Sequence, residues 1–142
     1  MLNLIRPFHL AISVSSIVQA REFYGSKLGF KEGRSSENWV DWDFFGHQLV
    51  THLDRKKSDK NIVNKVDGHG VPVPHFGVVL EWNEWHEFAK KLESNNIKFE
   101  IKPYIRFQNT NGEQATMFFF DPFKNALEFK AFKNEDNLFK KF

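Results

Sequence analysis

The sequence predicts an α+β fold of two paired βαβββ modules, which form an eight-stranded, open, cup-shaped mixed sheet with the helices on the outside. Three observations predict it. A histidine close behind a proline heads an apolar, strand-like run twice, at His9 and at His75, 66 positions apart. Each run is followed by one helix-like segment and then by three strand-like segments. The later strands align as well, since 43–52 lies over 121–130.

In the first module, an apolar run predicts the first strand at 8–14. Ser16 and Gln19 have the spacing of a capping box that begins a helix, and Gly29 can end it. The apolar face of this helix is formed by Ile17, Ala20, Phe23, Tyr24 and Leu28. The last two of its strand-like runs are 38–45 and 47–53, with Gly46 at the bend.

The second module repeats this order from His75. Asn83 is the expected cap of its helix, and Asn111-Gly112 predicts a hairpin. The helix has one apolar face, formed by Trp85, Phe88, Ala89 and Leu92. The strand-like runs after it are 97–107, 113–121 and 125–132. We therefore expect one domain, with module one at about 5–53, a connector at 54–73, module two at about 74–132 and a tail at 133–142.

Composition narrows the class of protein. With 142 residues, 41% hydrophobic and 27% charged, the chain is typical of a compact soluble protein. A net charge of +2 gives no electrostatic case for nucleic acid or a membrane surface. The N-terminus does not resemble a signal peptide, and the absence of cysteine fits a cytoplasmic location.

The connector at 54–73 is either a solvated crossover between the two modules or a mobile flap over the cup. Aromatic residues make up 16%, which fits an aromatic core, a pocket for a small organic ligand, or both.

Two histidines at equivalent positions predict a metal site. A single histidine at a strand end is more often a hydrogen-bonded filler, but the strands headed by His9 and His75 can lie side by side. Glu128 stands in an apolar strand, where a carboxylate is costly unless it is paired or binds a cation. The alternative is an edge strand with Glu128 facing water. Two histidines and one carboxylate form an open facial site that favours Fe(II), with Mn, Zn or Ni as alternatives.

Other polar side chains are candidates for the same cup. Tyr104 and Arg106 share one strand face, so a tyrosine could give a proton to a bound oxygen and an arginine could hold an anion. Alternatively, Tyr104 lies at the rim of the cup and Arg106 lies on the protein surface. Gln114 is a further candidate for substrate contact. Lys130 either binds an anion or extends to solvent.

Two phrases carry a resemblance to a known family. "FHLAISVSSIVQAREFYGSKLGF" (8–30) and "FFFDPFKNALEFK" (118–130) resemble the vicinal oxygen chelate superfamily, which contains glyoxalase I, fosfomycin and bleomycin resistance proteins, and extradiol dioxygenases. The resemblance spans about residues 5–132 and looks most like uncharacterised members grouped with the extradiol dioxygenases. It implies metal ligands at His9, His75 and Glu128. It also implies a small-molecule substrate and, as often in this superfamily, a homodimer.

The resemblance also bears on the reaction. Glyoxalase-like members carry a fourth ligand, a glutamate, where this chain has Val50, so three-ligand chemistry is favoured. His52 lies two residues further on. It is a substitute metal ligand, an acid–base group beside the metal, or a polar residue at the end of the strand. We expect it to act in acid–base chemistry or to contact the substrate. The implied function is metal-dependent chemistry on a substrate that chelates through two oxygens, with extradiol-type dioxygenation leading. The alternatives are a glyoxalase-like isomerase or lyase, a small-molecule transferase, or a resistance-type binding protein without catalysis.

Overall fold

The computed structural model describes residues 5–57, 62–66 and 68–141, which form a mixed α+β structure as predicted. Contacts divide the chain into two units, residues 1–59 and 60–142. Part of the predicted connector, residues 58–61 and 67, lies outside the described residues. No helix of the described part is long and apolar enough to cross a membrane.

The described residues of unit 1 form one helix and a four-stranded sheet. Its helix α1 (Ile17–Ala20) continues as a π-helix over Arg21–Lys27. Its strands are β1 (His9–Val14), β2 (Lys31–Ser35), β3 (Trp39–Phe44) and β4 (His47–Leu53). The order across the sheet is β1-β4-β3-β2, in which β1 runs parallel to β4 and the other pairs are antiparallel.

The helix of unit 1 begins and packs as the sequence predicts. Ser16 caps it, because its hydroxyl accepts the backbone N–H of Gln19. The ring of Tyr24 packs 6.1 Å from the ring of Trp42, whose indole N–H donates to Thr51 at 3.1 Å. The helix therefore covers one face of the sheet, and the alternate residues of β1 and β4 point to the other face.

Unit 2 begins with a hairpin in the predicted connector, β5 (Ile62–Val66) and β6 (His69–Val73). The elements after it are β7 (His75–Phe76), β8 (Val79–Leu80), α2 (Trp82–Ser94), β9 (Phe99–Arg106), β10 (Gln114–Phe120), β11 (Ala126–Phe132) and a 3₁₀ turn (Glu135–Asn137). The main sheet runs β7-β11-β10-β9, and β8 also pairs with β11. The predicted first strand of module two is thus split into β7 and β8.

Two local predictions in unit 2 need correction. Helix α2 is capped by Glu81 and not by Asn83, because the Glu81 carboxylate accepts the backbone N–H of Glu84 at 3.0 Å. The predicted hairpin at Asn111-Gly112 forms, but with a long loop, since pairing stops at Arg106 and Gln114. The apolar face of α2 is buried as predicted, and Trp85 donates its indole N–H to the carbonyl of Phe129 at 2.8 Å.

The repeat seen in the sequence is present in the strand register. His9 stands beside Gln48 in the parallel β1–β4 pair, and His75 stands beside Ala126 in the parallel β7–β11 pair. The match continues into β8, where Val79 stands beside Lys130 as Ser13 stands beside His52 in unit 1. Each unit therefore places its histidine at the same point relative to its last strand.

Candidate metal centre

His75 and Glu128 form the centre of the candidate site in unit 2. The Nε2 atom of His75 lies 3.1 Å from Oε2 of Glu128. The two side chains are 30% and 13% exposed, so the contact is mostly shielded from water but remains accessible. They meet because β7 lies beside β11 with His75 level with Ala126, two residues before Glu128.

Each of the two side chains is held by a second partner. Nδ1 of His75 lies 2.6 Å from the carbonyl oxygen of Pro72, and a carbonyl can only accept, so Nδ1 carries the proton. Oε1 of Glu128 accepts the hydroxyl of Thr116 at 2.8 Å. In a neutral imidazole, Nε2 then presents its lone pair directly to the carboxylate oxygen Oε2.

This arrangement fits a divalent cation. Two lone pairs that face each other at 3.1 Å repel unless a proton lies between them or a metal ion binds both. Imidazole nitrogen and carboxylate oxygen each bind Zn²⁺ at about 2.0–2.2 Å, so two such ligands at a right angle are about 3 Å apart. The outer hydrogen bonds to Pro72 and Thr116 are of the kind that orient metal ligands. Within either unit, the described residues bring no three His, Asp or Glu side chains together.

Gly77 makes this geometry possible. A Cβ atom on Gly77 would lie 1.5 Å from the carbonyl oxygen of Glu128, which no side chain can tolerate. The chain between β7 and β8 therefore passes against the backbone of β11 at the level of Glu128, and this contact fixes His75 beside it. Sequence reasoning did not single out Gly77, although a glycine inside an apolar run indicates a close backbone approach.

The pair opens onto a cavity of about 170 Å³. Three apolar side chains form part of its lining: Val71, Ile101 and Phe118, which pack together as a small buried cluster. Tyr104, Arg106 and Lys130 line the cavity as well, so the structure brings these three predicted residues to His75 and Glu128. The predicted connector contributes Val71 and the Pro72 carbonyl, neither of which the sequence singled out.

Two other candidate residues lie elsewhere. Gln114 lines a different cavity of unit 2 and not the one beside Glu128. His52 belongs to unit 1, where it is exposed and stands between Ser13 and Trp39 in the sheet. Its place in the strand register is the one that Lys130 has in unit 2.

His9 in unit 1 is exposed, and its ring is oriented by Gln48, which in turn contacts Asp41. Its Nδ1 lies 2.9 Å from Oε1 of Gln48, and Nε2 of Gln48 lies 3.3 Å from Oδ2 of Asp41. Because an ionised carboxylate only accepts, Gln48 directs its NH₂ group to Asp41 and its oxygen to His9. In a neutral imidazole of His9, the proton is therefore on Nδ1 and the lone pair on Nε2, which is the tautomer that the Pro72 carbonyl favours for His75.

Comparison with known proteins agrees with this fold. The sequence model of a protein family, the Glyoxalase/Bleomycin resistance protein/Dioxygenase superfamily, matches residues 6–129 of this chain. A glyoxalase/bleomycin resistance protein/dioxygenase from Alicyclobacillus acidocaldarius is 30% identical over 98% of this chain and 100% of its own, with a TM-score of 0.81. No curated protein shows significant sequence similarity to the chain.

More distant structures share the fold. A glyoxalase/dioxygenase from Nostoc punctiforme is 16% identical over 93% of this chain and 94% of its own, with a TM-score of 0.66. The fosfomycin resistance protein FosX from Listeria monocytogenes is 14% identical over 97% of this chain and 100% of its own, with a TM-score of 0.63. From its sequence match and its fold, the chain belongs to the glyoxalase/bleomycin resistance protein/dioxygenase superfamily.

Proposed function

We propose that this chain is a divalent-metal enzyme for a small substrate that binds through two adjacent oxygens, with extradiol-type dioxygenation as the leading reaction. The observation that carries the proposal is the pair of donor atoms, His75 Nε2 and Glu128 Oε2, that face each other at 3.1 Å. Each is held from behind, by the Pro72 carbonyl and the Thr116 hydroxyl respectively. Membership of a superfamily that contains glyoxalases and dioxygenases supports it.

His9 is the proposed third ligand. It has the same register in β1 that His75 has in β7, and its Nδ1 is likewise engaged, so that Nε2 is the nitrogen available to a metal. Two imidazoles and one carboxylate favour Fe(II), with Mn, Zn or Ni as alternatives. Val50, at the position of Glu128 in the repeat, offers no donor, which supports three protein ligands instead of four.

The side chains around the cavity suit this chemistry. A bound divalent ion lowers the pKa of the substrate oxygens and holds them side by side. Tyr104 can donate a proton to a developing oxyanion, and Arg106 and Lys130 can bind an anionic group. The apolar cluster of Val71, Ile101 and Phe118 excludes water from this side. We propose His52 as an acid–base or substrate-contacting residue.

Metal analysis of protein purified without oxygen tests the first part of the proposal. We expect about one divalent ion per chain, and iron above manganese, zinc and nickel. The same protein is then mixed with a panel of catechols in an oxygen electrode, where dioxygenation consumes one O₂ for each catechol whose ring opens. Metal-loaded protein that consumes no O₂ with any catechol would contradict the dioxygenase assignment.

A metal-dependent isomerase, lyase or transferase is the second candidate. The observation that favours it is the presence of two cationic side chains, Arg106 and Lys130, with Tyr104 at one small cavity. Such a group stabilises an enolate or binds an acidic substrate, and neither needs oxygen. Turnover of an acidic substrate under strictly anaerobic conditions would favour this candidate. Tight ligand binding without metal or turnover would instead indicate a resistance-type binding protein.

We also propose that the protein is a homodimer. Among the described residues of unit 1, three large apolar side chains are exposed: Ile5, Phe8 and Val18, at 80%, 64% and 67%. Apolar side chains of this size are commonly covered when two copies associate. Light scattering at micromolar concentration tests this, since a mass near one chain of 16.8 kDa would contradict it.

A further inference from the structure

A second and larger cavity lies in unit 2, at the loop that joins β9 to β10. Its volume is about 570 Å³, within the usual range for small-molecule sites. It is bounded by this loop, by the end of β11 and by the C-terminal 3₁₀ turn. It shares no lining residue with the cavity beside Glu128, so it is a separate site.

Specific contacts build the walls of this cavity. The side-chain amide of Asn137, which is only 7% exposed, donates to the carbonyl of Asn111 and so ties the C-terminal turn to the loop. Glu113 accepts the backbone N–H of Asn109 at 2.7 Å and pairs with Lys133 at 3.1 Å. The shape of the cavity is therefore set by the fold.

Gln114 gives the cavity a buried hydrogen-bond acceptor that has no donor among the described residues. The residue is 8% exposed, and its amide nitrogen makes a long hydrogen bond, 3.4 Å, to the carbonyl of Gly112. Its Oε1 is buried and accepts no hydrogen bond from any of the described residues. Buried acceptors are nearly always satisfied in proteins, so an exception calls for a donor that is absent from the chain itself.

The rest of the lining defines the kind of molecule that could supply the donor. Phe107, Phe132 and Leu138 provide apolar surface, and Lys140 is the one charged residue of the described lining. Phe107 is 52% exposed, which is a large apolar area to leave in water. Flat aromatic rings pack well against phenylalanine, and a ring N–H or O–H is a directional donor.

We propose that this cavity binds a small aromatic molecule of the indole or phenol class, whose N–H or O–H donates to Oε1 of Gln114 while its ring packs against Phe107 and Phe132. An acidic substituent on the ring would face Lys140. The site does not depend on the metal centre or on the proposed reaction.

Indole and 1-methylindole form a pair of probes, because a methyl group replaces the N–H donor of indole in 1-methylindole; the Gln114→Met variant separates the loss of the donor from the added bulk of the methyl group. Each is titrated into the wild-type chain and followed by the amide signals of an NMR spectrum. We expect indole to bind at least about fivefold more tightly than 1-methylindole, the effect of one hydrogen bond to a buried acceptor. The shifted signals should include Gly112, Asn137 and the side-chain amide of Gln114.

Two variants localise the effect. Gln114→Met has nearly the same shape without the acceptor, so it should bind indole and 1-methylindole equally. Glu128→Gln, in the other cavity, should keep the wild-type preference for indole. If Gln114→Met does not fold, the wild-type comparison of the two probes and the map of shifted signals decide the question.

Three results would overturn the proposal. Equal affinity of the wild type for the two probes would mean that Gln114 is satisfied by water. Shifts centred on Thr116 and Glu128 would place the aromatic molecule in the metal cavity. Signals around Gly112 that change on dilution, and not with indole, would mean that a second copy of the chain fills the cavity.

Discussion

Thr116 and Glu128 are joined across neighbouring strands by a 2.8 Å hydrogen bond from the threonine hydroxyl to Oε1. Thr116 is 2% exposed, so water does not compete for this bond. The bond restricts rotation of the carboxylate and directs Oε2 to His75, 3.1 Å away. Thr116 is therefore a positioning residue for the candidate metal ligand.

Replacing Thr116 with valine should lower the affinity for metal, and we expect a smaller effect on the stability of the fold. Valine has nearly the same volume but no hydroxyl, and the loss of such an outer hydrogen bond typically lowers metal affinity by about 10–100-fold. Titration with a competing chelator measures the affinity. Thr116→Ser keeps the hydroxyl and should stay within a few-fold of the wild type. If serine and valine weaken metal binding equally, packing and not the hydrogen bond is responsible.

His75→Ala should abolish metal binding, whereas His52→Ala should retain it. Removing His75 leaves two proposed ligands, His9 and Glu128, and two ligands rarely hold a divalent ion. His52 is not one of the proposed ligands, so its loss should lower activity or substrate affinity instead. Metal stoichiometry in both purified variants, with circular dichroism to confirm folding, makes the comparison. A folded but metal-free His52→Ala protein would indicate four protein ligands and favour the isomerase over the dioxygenase.

Gly77→Ala should destabilise the protein and disturb the metal site together. The added Cβ would lie 1.5 Å from the carbonyl oxygen of Glu128, so the backbone must move. We expect a loss of at least about 2 kcal/mol in the free energy of unfolding, typical of severe overpacking. Gly33→Ala is the matched control, since its nearest neighbour would be at 3.6 Å. Urea unfolding of both variants tests this, and equal midpoints would disprove the close approach.

Glu113 should make stability depend on pH in the acid range. The backbone N–H of Asn109 and the ammonium group of Lys133 hold the pKa of Glu113 below its usual value of 4.5. A carboxyl group with a lowered pKa in the folded state stabilises the fold above its unfolded pKa, and this contribution is lost as pH falls through the folded pKa.

The matched variant for this effect is Glu113→Gln, which removes the charge. It should melt below the wild type at pH 7, and the difference should shrink as pH falls below about 4.5, the usual pKa of this carboxyl group. Melting temperatures at a series of pH values test this. A difference that is the same at pH 7 and at pH 2 would show that the charge of Glu113 is not the cause.

The sequence predicts best where a feature is local or repeated. The buried face of α2 follows from its 3.6-residue period, and the Ser16 cap of the unit 1 helix follows from a short motif. The equal register of His9 and His75 could be predicted because the two halves align residue by residue.

The contacts that complete the candidate site were beyond sequence reasoning. Pro72 acts through its backbone carbonyl, which every residue carries, so no residue type signals the contact to His75. Val71 reaches the cavity only because the connector folds into the β5–β6 hairpin. Gln114 and Thr116 share a strand face, yet they line different cavities, because the loop at 107–113 and the C-terminal turn enclose one of them.

The identical register of the two units has an evolutionary consequence. It is the trace that an internal gene duplication leaves, with one ancestral half present twice in the chain. Both copies have kept the histidine at the head of the first strand, but they have diverged at Val50 and Glu128 and again at His52 and Lys130. At these two positions unit 1 has a valine and an imidazole where unit 2 has a carboxylate and an ammonium group, so the two halves of a duplicated fold can carry different chemistry at equivalent places.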